Sequence, residues 1–149
     1  MKQPIMKWDA EKRTAYYGLF DADGNLHEGY AYCHEDDLDM MNEKTGLEIA
    51  RRRAEIKGYK AYKYKLKNKL QALNQLYYSM KHSKKFNSKS YENIMLQRQI
   101  QMIKIDLDAA NNIINESLIL LKLYIAEKEA FYKQLRKLRE KNNKQKGVE

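Results

Sequence analysis

From Leu96 to Leu138 the chain sets Leu96, Ile100, Ile103, Leu107, Ala110, Ile114, Ser117, Leu121, Tyr124, Lys128, Phe131, Leu135 and Leu138 at steps that alternate four and three. Of these thirteen positions only Ser117 and Lys128 are not apolar. A strand repeats every two residues and a loop has no period, so only a helix keeps this pattern. Such a seam demands a neighbouring helix at a shallow left-handed crossing. Extended from Ser90 to about Lys141, the helix makes a rod of roughly 75 Å.

The partner helix lies upstream. Tyr59, Tyr62, Leu66, Leu70, Leu73, Tyr77 and Met80 recur at three and four, and only Gly58 weakens the helix before Lys81. Its start falls between residues 38 and 45. The acidic run Glu35-Asp36-Asp37-Leu38-Asp39 and the pair Thr45/Glu48 both offer capping groups there. The polar stretch HSKKFNSKS, residues 82–90, is the turn between the helices. A stripe of small residues, Ala50, Ala54, Gly58 and Ala61, leaves room for another backbone or a sheet to come close.

Ahead of the helices, TAYYGLFDADGNLHEGYAYCH carries Asp23-Gly24 between two aromatic-rich segments, which marks a hairpin. Strands are expected near 13–20 and 26–33, with a poorer third strand over 3–8 around Trp8. Two strands are marginal in water, so the hairpin must rest on a helix or pair across subunits. The expected fold is mainly α with a small N-terminal β-hairpin (α+β): residues 1–37 form the hairpin region, 38–143 a coiled-coil-like hairpin of two long antiparallel helices, and 144–149 a frayed tail. Ile105, Ile113, Leu118, Leu120, Ile125 and Tyr132 lie off the seam, more than one partner helix can cover. That surplus implies a homo-oligomer, with Ile100, Leu107, Ile114, Leu121 and Leu135 in its seam.

Charge is unevenly placed along the chain. Residues 1–50 carry 5 Lys/Arg against 11 Asp/Glu, residues 51–90 carry 13 against 1, and residues 91–149 carry 11 against 8. The basic middle suits a phosphate-bearing partner or an acidic protein surface, or it answers the acidic N-terminal third. A single cysteine, Cys33, excludes an intrachain disulfide and fits a reducing compartment. No apolar run reaches the roughly 20 residues of a membrane span, and the opening MKQPIMKWDAEKR lacks a secretory core, so a cytoplasmic location is expected.

Catalysis and cofactors find no support in the motifs. His27, His34 and His82 have no ligand spacing with Cys33, and neither a phosphate-cradling glycine loop nor a nucleophile elbow occurs, so no metal, cofactor or catalytic residue is expected. The triplet Arg51-Arg52-Arg53 carries more. Successive helix residues diverge by 100°, and Arg53, four residues after Ile49, is the one that reaches a site between helix and hairpin. A guanidinium there suits a phosphate, while the bland alternative is an exposed arginine balancing the acidic start. The tract GYKAYKYKLKNK invites a nucleic-acid reading, but the helical period accounts for its tyrosines as core and its lysines as solvated flanks.

The segments Gly29-Tyr30-Ala31-Tyr32-Cys33-His34-Glu35-Asp36-Asp37 and Gly46-Leu47-Glu48-Ile49-Ala50-Arg51-Arg52-Arg53-Ala54 resemble a module of small phage proteins of Gram-positive bacteria, in which a strand ends in Cys-His-Pro-Asp-Asp and a helix carries Gly-x-x-hydrophobic-Ala-x-x-Arg-Ala. Glu35 stands in place of the proline. The anti-Thoeris family, whose oligomers sequester cyclic ADP-ribose-type signals, is one such group. The resemblance implies that Arg53, with Arg52 beside it, holds a phosphate and that Tyr32 or Tyr30 lies near a base or ribose. It implies a phage counter-defence protein that binds a nucleotide immune signal in the host cytoplasm without cleaving it. The long helical hairpin exceeds what that role needs, which keeps three rivals: a nucleic-acid-binding accessory protein, a coiled-coil adaptor that blocks a host protein, and a structural phage component.

Overall fold

The computed structural model describes residues 2–33, 42–83, 87 and 89–147. Three strands, β1 (Ile5–Asp9), β2 (Thr14–Phe20) and β3 (Leu26–Tyr32), precede two helices, α1 (Glu43–Lys81) and α2 (Tyr91–Lys146). The sheet is an antiparallel meander in the order β1-β2-β3, so the poorer strand around Trp8 is a full member. Among the described residues no helix is long and apolar enough to cross a membrane.

Aspartates build both turns of the sheet. Asp9 Oδ1 accepts the backbone N–H groups of Glu11 and Lys12 at 3.0 and 3.1 Å. In the second turn Asp21 Oδ1 accepts from the N–H groups of Asp23 and Asn25, both at 2.9 Å, and Gly24 takes φ +83°. A left-handed residue at that place closes the hairpin without splaying its strands.

The chain divides into two compact units that cut across the helices: residues 1–57 with 117–149, and residues 58–116. The sheet packs on the first part of α1 and on the later part of α2, and these pieces share one core. Ala15, Ala31, Ile49, Ala50, Ile56 and Leu121 are buried there, with Trp8, Tyr17, Leu118, Tyr124 and Ile125 against them.

Within this first unit β3 and α1 meet backbone to backbone. A Cβ added to Gly29 would stand 1.9 Å from the Ala50 carbonyl oxygen and 2.6 Å from the Ala54 nitrogen. Ala50, Ala54 and Ala31 are fully buried around the contact. The small-residue stripe thus admits the sheet, as its composition foretells, and Gly29 is its counterpart on the strand. The start of α1 is set by Asn42, whose Oδ1 accepts the Thr45 N–H at 2.8 Å and whose Nδ2 donates to the Tyr132 hydroxyl at 2.7 Å. Thr45 is therefore a buried residue of the first turn rather than the cap, because its side chain is drawn into the core and Glu48 is drawn to arginines. The acidic run Glu35 to Asp39 lies outside the described residues.

In the second unit Leu66, Ile103 and Ala110 are buried together, flanked by Leu70, Leu73 and Leu107. Gln97 Nε2 donates to the Tyr77 hydroxyl at 3.4 Å, and Ser90 caps α2 by accepting the Asn93 N–H at 3.3 Å. The tract above Leu66 departs from the core role expected of it. Tyr59 and Tyr62 are exposed, because Leu66 and the leucines below it already fill the space between the helices; Tyr64, on the opposite side of α1, is exposed as well.

The heptad positions of α2 differ in burial, and Phe131 and Leu138 are exposed. Ile100, Ile114 and Leu121 are buried without any second copy, Leu107 is packed beside Leu66, and Leu135 is half-buried. α2 continues to Lys146, and Lys144 and Lys146 in its last turn favour the negative end of the helix.

Replacing Gly29 by Ala forces a helix backbone away from a strand, so urea unfolding should show a loss of about 3 kcal/mol or more. Gly24→Ala meets nothing within 4 Å and carries only the left-handed penalty of about 1 kcal/mol. Equal midpoints for the two variants would refute the close contact.

Candidate functional site

Strand alternation separates the sheet into two chemically different faces. Ala15, Tyr17, Gly29 and Ala31 turn to the helices. The alternate positions, Lys7 on β1, Tyr16 and Gly18 on β2, and Glu28, Tyr30 and Tyr32 on β3, share the other face through the pairs Lys7↔Tyr16, Tyr16↔Tyr30 and Gly18↔Glu28.

Aromatic rings dominate this open face. Tyr16 and Tyr30 lie 5.2 Å apart at 59°, and Tyr30 and Tyr32 are stacked at 6.0 Å with planes within 9°. Tyr32 is 66% exposed, so one ring of the stack is presented to solvent. The hydroxyls of Tyr16 and Tyr30 donate to the two carboxylate oxygens of Glu28 at 2.9 and 3.3 Å. Gly18 makes the first bond feasible: a Cβ there would sit 2.7 Å from the Tyr16 hydroxyl.

Cations rim the rings. The Lys7 ammonium stands 5.8 Å from the Tyr16 ring centre and the Lys57 ammonium 5.9 Å from that of Tyr30. Arg53 Nη1 donates to the Tyr30 carbonyl oxygen at 2.7 Å, on a strand whose outer edge pairs with no further strand among the described residues. Its remaining guanidinium N–H groups have no acceptor among the described residues. Lys7, Asp9, Thr14, Tyr16, Tyr30 and Tyr32 line a shallow concavity of about 280 Å³. That volume lies just below the range of enclosed small-molecule pockets.

Of the residues expected at a phosphate and base site, Arg53, Tyr30 and Tyr32 come together. Arg52 is placed elsewhere: its Nε donates to Glu48 at 2.9 Å and its guanidinium lies 5.0 Å from the Tyr124 ring on α2. Arg51 pairs with Glu48 and Glu55 along α1. The bond from Arg51, reinforced by Arg52, holds the Glu48 carboxyl below the usual range. Tyr16, Lys7, Glu28 and Lys57 were not singled out by sequence reasoning. The period-two alternation of β2 and β3 places Tyr16 with Tyr30 and Tyr32; Lys57 joins them only through the docking of α1.

Loss of solvent around the rings, followed by the Glu28 carboxylate, pushes the Tyr16 and Tyr30 phenols above 10.0. Folding favours their protonated forms, so this contribution is complete below pH 10 and is lost as pH rises through the raised values. An alkaline titration followed by tyrosinate absorbance should show a late-ionising pair that Glu28→Gln moves to lower pH; superimposable curves would refute the assignment. No protein-family model matches the chain, and no curated protein or solved structure gives a match either.

Proposed function

We propose that this protein binds a nucleotide on the open face of its sheet and withholds it without chemical change. The observation that carries the reading is the exposed Tyr30–Tyr32 stack flanked by Arg53 and Lys57. A base stacks on Tyr32, a phosphate takes the N–H groups of Arg53 that have no acceptor among the described residues together with the Lys57 ammonium, and Lys7 supplies charge on the opposite side. The donors here are phenols, ammonium groups and one guanidinium, a set suited to recognition. The resemblance over residues 29–37 and 46–54 supplies the ligand class, a signal of the cyclic ADP-ribose type, and the setting, a phage protein acting in the host cytoplasm.

Self-association belongs to the same proposal, with the two helices supercoiled as a pair. Leu118, Ile125 and Tyr132 find partners within the chain, whereas Ile105, Ile113 and Leu120 remain exposed with Met102, Ile119 and Leu123. A second copy covers this outward face of α2 and leaves the seam to α1.

Calorimetry against cyclic ADP-ribose isomers and cyclic dinucleotides tests the first part. Arg53→Ala should weaken binding roughly 10- to 150-fold, and Tyr32→Ala, which breaks no side-chain hydrogen bond among the described residues, about 5- to 150-fold. Failure of the wild-type protein to bind any of the panel, or release of an altered ligand, would overturn the reading. For the second part, Ile105→Asp and Leu120→Asp should give folded monomers by light scattering, while Ile114→Asp and Leu121→Asp should unfold the chain. A wild-type monomer at micromolar concentration would remove self-association.

A further inference from the structure

The second unit carries a surface that the sheet site does not use. Between Glu55 and Glu92 the sequence holds ten lysines and no acidic residue. Six of those lysines fall on α1 from Lys60 onward, and a rotation of 100° per residue divides them unequally. Lys60, Lys63, Lys67 and Lys81 fall with Tyr64 and Tyr78 within a sector of about 100° on one flank. Lys65 and Lys69 fall on the other flank.

Both tyrosines of that sector are displayed. Tyr64 is 66% and Tyr78 67% exposed, and the edge of His82 supports the Tyr78 ring at 4.3 Å. Lys60, Lys63, Lys67 and Lys81 have no carboxylate at ion-pair distance among the described residues. The cations are therefore available to an external anion, and their like charges along one flank repel until one arrives. A purely solvated flank would be served by lysine alone. Tyrosine rings standing out between the lysines add π faces that favour unstacked bases.

We propose that this flank of α1 binds single-stranded nucleic acid, lysines pairing with phosphates and Tyr64 and Tyr78 stacking on bases. A duplex keeps its bases stacked and leaves the tyrosines unused, and an anionic lipid surface rewards aliphatic side chains that this flank lacks. About four lysine contacts imply a logarithmic salt slope near −3, or roughly 50-fold weaker binding at 200 mM than at 50 mM salt.

The experiment is fluorescence anisotropy of the full-length protein with a labelled 20-nucleotide DNA and the matching RNA, repeated with a DNA duplex and with vesicles containing phosphatidylserine. The expected result is binding to the single strands with that salt slope. Combined Lys60→Glu, Lys63→Glu and Lys67→Glu should abolish it with helicity by circular dichroism unchanged. Tyr64→Ala and Tyr78→Ala should each weaken it about 5- to 150-fold at an unchanged salt slope. Tyr32→Ala, in the other unit, should leave it intact. Absence of binding by the wild type at 50 mM salt, binding that survives the triple reversal, equal binding to duplex with no effect of the tyrosines, or binding to vesicles alone would overturn the proposal.

Discussion

The contact between Gly29 and the backbone of α1 at Ala50 and Ala54 is the constraint on which the first unit rests. A three-stranded sheet with strands of five to seven residues buries too little by itself. It becomes stable when a helix lies close enough for Ala15, Ala31 and Ile49 to share one core with Leu121. Small residues on both surfaces allow that approach, and larger ones would hold the helix several ångströms away with voids between.

The same docking decides what each neighbouring arginine does. With Ala50 and Ala54 against the strand, Arg53 is carried to the outer edge of β3 and bonds the Tyr30 carbonyl. Arg52 is rotated toward Tyr124 on α2, and Arg51 remains on the helix surface with Glu48 and Glu55. Three identical side chains thus take three roles through a rotation of 100° per residue. Lys57, one turn beyond Arg53, follows it to the Tyr30 ring.

Burying one face of the sheet leaves the other to chemistry. Because alternate residues point oppositely, the alanines and glycine that make the core compact force the tyrosines of the same strands outward. Glu28 fixes two of these rings through their hydroxyls, so the surface is ordered by the chain's own contacts. Order of this kind lowers the entropy lost on binding a flat group.

Much of this was legible in the residues. The heptad steps of α2, the leucines of α1, the turn at Gly24 and the third strand around Trp8 follow from local period and turn chemistry, which depend on near neighbours alone. Arg53 was also legible, since its angle from Ile49 is a property of one helix. The amino-acid sequence could not say which surface covers which. Tyr59 and Tyr62 have the period of a core yet stand exposed, because the leucines below already fill the space. Thr45 has the pattern of a cap, yet Asn42 performs that role and bonds Tyr132 across a long sequence separation. The heptad steps mark one face of α2, yet Leu121 packs in the core under the sheet and Leu107 beside Leu66, while Phe131 and Leu138 of the same face stand exposed. Period determines the face that a residue occupies; whether that face is covered depends on elements far away in the chain, and only the tertiary structure decides it.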